Sequence, residues 1–268
     1  CIHYVIVRCA LGRLLVAALG ERLAAGRVGR VIATDVREAG GTVLPAGVRF
    51  ARHDVRDATL GALLRAERIS CVVHLASIVT PGPASTRAAE YAVDVEGSRR
   101  VIEACVEAGV RRLIVTSSGA AYGYHADSPP RITEDAPLRG NEAFAYSWHK
   151  RLVEEMLAEY RASHPALEQV VFRVGTILGA SVHNQITALF EKPRLLAIRG
   201  SLSPFVFVHD RDVVECLLRA LESPATGVFN VAGDGTITID EIGEFTGKRV
   251  VRVRAAVLRT ALRVLRPL

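Results

Sequence analysis

No apolar stretch in this chain approaches the ~20 consecutive residues that a bilayer-spanning helix needs, so none of its segments reads as a membrane span. The chain does not open on a basic segment followed by an apolar block, so no secretory signal is expected at its start and the expected location is cytoplasmic. It begins at Cys1 rather than Met, and we expect the natural start to lie upstream. Cysteine is sparse. Cys1, Cys9, Cys71, Cys105 and Cys216 are scattered and odd in number, which argues for reduced thiols and against a disulfide frame. No two of them have metal-ligand spacing and the eight histidines are equally dispersed, so no metal is expected. Aromatic residues make up only 6% and do not interleave with the basic ones. The net charge of +6 therefore reads as an arginine-rich solvated surface, with no nucleic-acid partner expected.

What the chain does have is globular composition: 268 residues, 50% hydrophobic and 23% charged, enough for a large core. Short apolar runs alternate with helical patterns. Residues 4–7, 30–34, 48–52, 71–75, 113–116 and 170–173 read as buried strands. Residues 14–23, 58–67, 88–108 and 144–164 between them carry helical spacing. Continuous apolar strands alternating with amphipathic helices predict an α/β fold, a Rossmann-type doubly wound parallel sheet covered on both faces. After residue 173 the rhythm loosens into loop and one short helix. Strand–helix–strand then resumes over 205–208, 210–221 and 228–231, and a basic amphipathic helix closes the chain at 255–265. The expected division is a core of 1–173, rejoined by 204–235, and a small C-terminal substrate lobe built from 174–203 and 236–268.

In an open α/β sheet, ligands lie at the carboxyl ends of the strands. Asp35 ends the second strand there, where an acid can accept hydrogen bonds from both ribose hydroxyls of an adenosine and repel a 2′-phosphate. That favours NAD over NADP. Asp54 and Val55 end the third strand, where a carboxylate can meet an adenine amino group. His74-Leu75-Ala76-Ser77 ends the fourth, where small residues let the backbone approach a dinucleotide. Glycine is what the first turn lacks: between Val7 and Arg13 it offers only Gly12, although a dinucleotide turn needs several. By itself this turn does not suggest a dinucleotide site.

The chemistry-bearing pattern is Tyr146-Ser147-Trp148-His149-Lys150. Tyr146 and Lys150 are four apart on an expected helix and share a face. An ammonium beside the phenol, and the positive charge of an oxidised nicotinamide, both favour the phenolate. Tyr146 can then take a hydroxyl proton as hydride leaves the same carbon, while Lys150 holds the nicotinamide ribose. The spacing alone arises by chance in many helices. The strand ending Thr116-Ser117-Ser118 directly precedes this helix, however, and Ser118 can supply a hydroxyl to the substrate oxygen.

With both elements in order, the chain resembles the extended short-chain dehydrogenase/reductase family, the NAD-dependent epimerase/dehydratase group. The resemblance runs from about residue 4 to 248. It rests on Asp54-Val55-Arg56-Asp57, Val73-His74-Leu75-Ala76, Thr116-Ser117-Ser118-Gly119-Ala120-Ala121-Tyr122-Gly123, Tyr146-Ser147-Trp148-His149-Lys150, Arg173-Val174-Gly175-Thr176-Ile177-Leu178-Gly179, Val208-His209-Asp210-Arg211-Asp212-Val213 and Phe229-Asn230-Val231-Ala232-Gly233. More closely, it is similar to actinobacterial proteins of the UDP-glucose 4-epimerase-like kind.

The resemblance implies Ser118, Tyr146 and Lys150 as the catalytic set. It implies Leu11, Gly12, Asp35, Asp54, Val55, Leu75, Ala76, Ser77, Thr116, Tyr146, Lys150 and Val174 along an NAD cofactor, and Ser118, Gly119, Tyr146 and Asn184 along a sugar or nucleotide-sugar substrate. Where the family often has an asparagine on the preceding long helix, this chain has Asp94. Where its dehydratases have an Asp-Glu pair after the hydroxyl residue, Gly119-Ala120 stand, which argues against elimination of water. The first turn falls about three residues short of the family's glycine pattern, and we expect residues of that turn to be missing from the sequence rather than the cofactor lost. Part of the small lobe is likewise expected to lie outside it. The reading is an NAD-dependent enzyme acting at a carbinol carbon, an epimerase or alternatively a dehydrogenase/reductase of a small carbonyl substrate. It is expected to be a homodimer through the helices at 88–108 and 144–162. A non-catalytic dinucleotide-binding protein, or membrane association through helix 255–265, are the competing readings.

Overall fold

A computed structural model describes residues 3–7, 10–37, 43–180, 182, 184–202 and 204–265. Its centre is a seven-stranded sheet in which every strand runs parallel to its neighbours. The strands are β1 (His3–Val7), β2 (Arg30–Asp35), β3 (Val48–Arg52), β4 (Cys71–His74), β5 (Arg112–Ser118), β6 (Glu168–Val174) and, last in chain order, β10 (Gly227–Val231). Across the sheet they run β10-β6-β5-β4-β1-β2-β3. The chain builds outward from β1 to β3, then returns to lay β4 on the other side of β1. The order therefore reverses between β1 and β4, and a crevice opens at the carboxyl ends of these strands.

Burial on both faces explains why the strands lack polar alternation. Leu113, Ile114 and Val115 are all essentially inaccessible. One face is covered by α1 (Ala10–Ala24) and α7 (Asp210–Glu222), through Leu15, Leu19, Val213 and Leu217. The other is covered by α2 (Leu60–Ala66), α4 (Gly97–Ala108) and α5 (Ala145–Ser163), through Leu64, Ile102, Met156 and Leu157. Gly97 lets α4 approach closely, because a Cβ there would stand 2.7 Å from Val55 Cγ2. The sheet is also tied to α7 by the fully buried Arg112, which bonds Glu168 at its own edge and the carbonyl oxygens of Ala220 and Ser223.

Two expected elements differ. The helix expected over 88–108 is α3 (Arg87–Tyr91), one turn of π-helix (Ala92–Glu96), then α4. A π turn holds one residue more than an α turn and changes which side chains face inward, and no hydrophobic periodicity announces it. The strand expected over 205–208 is β9 (Phe207–His209), which pairs with β7 (Thr176–Leu178) outside the main sheet. Phe205 makes only an antiparallel bridge to Ile237.

The segments after β6 also hold elements without a clear sequence period: α6 (Gln185–Glu191), β8 (Arg194–Ile198), α8 (Ile239–Thr246) and β11 (Arg249–Val253), with β8 and β11 paired in parallel. They share a small separate core of Leu195, Ala197, Ile239 and Ile242, against which Phe190, Phe205 and Phe207 pack. α8 does carry a legible start. Thr238 and Glu241 form a reciprocal capping box, the Thr-x-x-Glu pattern of a helix N-terminus. The basic helix at the end is α9 (Ala255–Leu265). Among the described residues, no helix is long and apolar enough to cross a membrane. Of the cysteines, Cys71 and Cys105 are buried free thiols and Cys216 is a half-buried one. Cys1 and Cys9 lie outside the described residues, as does the glycine-poor step from Val7 to Ala10 at Arg8 and Cys9.

Candidate active site

β5 ends at Ser118, which caps a short 3-10 turn (Gly119–Tyr122) by accepting from Ala120 N at 3.1 Å. The loop that follows returns to α5, and Ser147 pins the junction. Its fully buried hydroxyl donates to Ala120 O at 2.7 Å and accepts from Asn141 N at 2.9 Å. The start of α5 is thereby held against the end of β5. This brings Tyr146 beside Ser118, whose hydroxyl favours the ionised phenol. Lys150, one turn along α5, places Nζ 5.6 Å from the Tyr146 ring centroid and donates to Thr116 O at 3.0 Å. Ser118, Tyr146 and Lys150 thus converge at the carboxyl end of β5.

Burial pushes the Tyr146 phenol up to about 12 against the opposing effect of the Ser118 hydroxyl, and the negative charge of Asp94 adds to the rise. The protein's own groups therefore do not ease its proton loss.

The residues expected along the cofactor lie along the same sheet edge. Asp35 ends β2, buried, with Oδ1 accepting from Arg37 N at 2.9 Å. Leu75, Ala76 and Ser77 follow β4 directly, and Val174 ends β6. Leu11, Leu75 and Val174 have their side chains in the core beneath this edge, as does Val55, which leaves their backbone for a ligand. Gly12 sits buried inside the first turn of α1. Gly119 leaves room for a Cβ, which would stand 3.9 Å from Val174 O, an ordinary contact. Two residues are otherwise engaged. The Asp54 carboxylate is held by Arg56, side chain and backbone, and that contact keeps it below the usual carboxylate range. Asn184 is the N-cap of α6, its side chain accepting from Ile186 N and Thr187 N.

Sequence reasoning left two buried groups unassigned. His149 stands inside the Tyr146–Lys150 pattern, and its Nδ1 lies 3.0 Å from Asp94 Oδ2, both residues buried. His74 ends β4 with Nε2 2.9 Å from Ser98 Oγ. Burial, helped by the Lys150 charge, pushes it down to about 3, so it stays neutral. Their signal was present as a histidine within the helical motif and an acid where the resembling family often has an amide. What joins them is the π turn.

One buried atom tests the fit of a dinucleotide. The Ser77 hydroxyl, shielded from solvent at the end of β4, meets no hydrogen-bond partner. A polar ligand lying across the crevice would satisfy it. The acid at the end of β2, this hydroxyl after β4 and the set at β5 and α5 lie in order along one edge, and they fit such a ligand.

The parallel strand order and the helices on both faces define a Rossmann-type α/β protein, with Ser118, Tyr146 and Lys150 together at its carboxyl edge. The chain belongs to the NAD dependent epimerase/dehydratase family, whose sequence model matches residues 10–232. A UDP-glucose 4-epimerase of Streptomyces lividans is 33% identical over 156 residues, 52% of this chain and 46% of that protein. An uncharacterised protein of Mycobacterium tuberculosis is 24% identical over 246 residues, 91% of this chain and 65% of that protein. The chain thus spans just under two thirds of that relative's length and less than half of the epimerase. Among solved structures, MoeE5 in complex with UDP-glucuronic acid and NAD is similar with a TM-score of 0.75 and 25% identity, over 94% of this chain and 86% of that one.

Proposed function

We propose that this protein is an NAD-dependent epimerase that acts at a carbinol carbon of a nucleotide sugar, with Tyr146 as its acid/base. The observation that carries this reading is the convergence of the Ser118 hydroxyl, the Tyr146 phenol and the Lys150 ammonium at one strand end. When bound, NAD supplies a hydride acceptor and a positive charge beside the phenol. Tyr146 takes the carbinol proton during oxidation and returns it during reduction. Ser118 hydrogen-bonds the substrate oxygen in both directions. Lys150, held by Thr116 O, keeps its charge next to the phenol. Gly119 and Ala120 offer no carboxylate beside this centre, so it has no acid placed there to expel water. The nucleotide-sugar class is supported by the UDP-glucose 4-epimerase relative and by MoeE5, which binds a UDP-sugar.

The test is incubation of the purified protein with NAD and UDP-galactose. The expected result is UDP-glucose with no net NADH. Steady accumulation of NADH would instead make the protein a dehydrogenase.

Asp35 is the expected ribose contact and the source of preference for NAD. Its carboxylate, oriented by Arg37 N, accepts two hydroxyl hydrogen bonds in this reading. Replacing it by alanine is expected to raise the NAD dissociation constant about tenfold or more, since hydrogen bonds to a charged group are worth about 1.5–3 kcal/mol. Discrimination against NADP should fall with it. Titration calorimetry with both cofactors checks this, and unchanged affinities would remove Asp35 from the site.

A further inference from the structure

We propose that Asp94 and His149 form a buried clamp that positions the catalytic centre by fixing the helix that carries Tyr146 and Lys150 against the backbone after β4. The proposal rests on the reading of Tyr146 as the proton-handling group.

Asp94 lies in the π turn between α3 and α4, where the extra residue turns a side chain inward that an even α-helix would place elsewhere. It is 4% exposed, and both of its oxygens are used. Oδ1 accepts from Ile78 N at 2.8 Å, and Oδ2 faces His149 Nδ1 at 3.0 Å. A carboxylate only accepts, so Nδ1 carries the proton in this bond. The imidazole, 1% exposed, rests edge-to-face on Tyr91 with centroids 5.6 Å apart.

One carboxylate therefore joins three elements: its own π turn, the segment that directly follows Leu75-Ala76-Ser77, and α5. Because His149 lies between Tyr146 and Lys150, holding it holds both. A second tie runs in parallel. Ser98 Oγ donates to Asp94 O at 2.5 Å, so the 2.9 Å contact with His74 is donated by the histidine Nε2–H. His74 Nδ1 is left without a partner.

The test uses full-length protein, with Ile78 amide exchange read by NMR and steady-state rates read on the same variants. In Asp94→Ala, Ile78 exchange should rise at least about tenfold as its acceptor disappears, and kcat should fall about tenfold or more with KM unchanged, because Tyr146 and Lys150 lose their placement. Asp94→Asn keeps an acceptor for Ile78 N and should retain slow exchange and recover part of kcat. Should the alanine variant not fold, Asp94→Ser carries the same expected changes. Slow Ile78 exchange in the folded alanine variant overturns the proposal, as does a kcat equal to the parent protein's. Failure of the parent reading looks different. Full turnover in Tyr146→Phe would discard Tyr146 as the acid/base whatever the Asp94 variants show, and an unchanged kcat in Asp94→Ala would discard the clamp while leaving a loss of turnover in Tyr146→Phe intact.

Discussion

Tyr146→Phe should lower turnover by about a thousandfold while leaving NAD affinity and thermal stability near those of the parent protein. A positioned acid/base contributes roughly 10²–10⁴ to a rate, and removing one oxygen deletes the proton acceptor without touching the ring. The ring keeps its contact with Lys150 and with Phe144, whose centroid is 6.1 Å away. Ser118 keeps its bond from Ala120 N and is half-exposed, so the loss in stability should be only about one hydrogen bond's net worth, ~1 kcal/mol.

The pH dependence follows from the burial of the phenol. With burial pushing the phenol up to about 12, the ionised fraction near neutral pH is negligible, and the positive charge of the oxidised nicotinamide is needed to bring the phenol's pKa down. Proton abstraction requires the phenolate, so turnover in the oxidative direction should fall about tenfold per unit below the cofactor-bound midpoint. Turnover in Tyr146→Phe should lose that acid limb along with its magnitude. Steady-state rates, calorimetric NAD titration and a melting curve on the same preparation decide it. Unchanged turnover would remove Tyr146 from the chemistry.

The core was legible because its strands are buried on both faces. Runs such as Leu113-Ile114-Val115 cannot be anything but interior, and the helices between them carry a clear 3.6-residue period. Tyr146, Lys150 and Ser118 were legible because their order along a strand–helix unit fixes where they meet. Three kinds of feature were not. The π turn at Ala92–Glu96 leaves the apolar pattern nearly intact, so the inward turn of Asp94 is silent in sequence. The paired strands β8 and β11 are short and half-exposed, β8 alternating exposed and buried positions, so they offer too few residues to establish a period. The state of Tyr146 depends on desolvation, which spacing does not report: burial opposes proton loss from the phenol. The role of Asn184 as the N-cap of α6 was not legible either, since its oxygen satisfies a helix start that no clear period announces.

Glu154→Ala is expected to destabilise the fold by about 3–5 kcal/mol, the largest stability effect of any single glutamate on α5. Glu154 is 4% exposed and Arg173 is 6% exposed. Arg173 Nε donates to Glu154 Oε2 at 2.8 Å, and Ser117 Oγ donates to Oε1. Truncating Glu154 strands a guanidinium inside the protein and frees a buried hydroxyl. The same guanidinium donates to Tyr122 OH and Glu134 O, each at 2.8 Å, and stacks on the Tyr122 ring. Tyr122 OH in turn lies 2.8 Å from Asn230 Oδ1 on β10. The loss therefore reaches from α5 through β6 to β10 and the loop at Thr133 and Glu134.

Glu155, one residue on, supplies the contrast. It is half-exposed and pairs with Arg151 at 2.8 Å in an i,i+4 arrangement, a pair worth about 0.3–0.5 kcal/mol. Urea denaturation of Glu154→Ala and Glu155→Ala should separate their midpoints widely. Because the cost is mainly that of an uncompensated charge, Glu154→Leu combined with Arg173→Met should recover much of the stability lost in Glu154→Ala. Equal midpoints for the two alanine variants would show that Arg173 finds its compensation elsewhere.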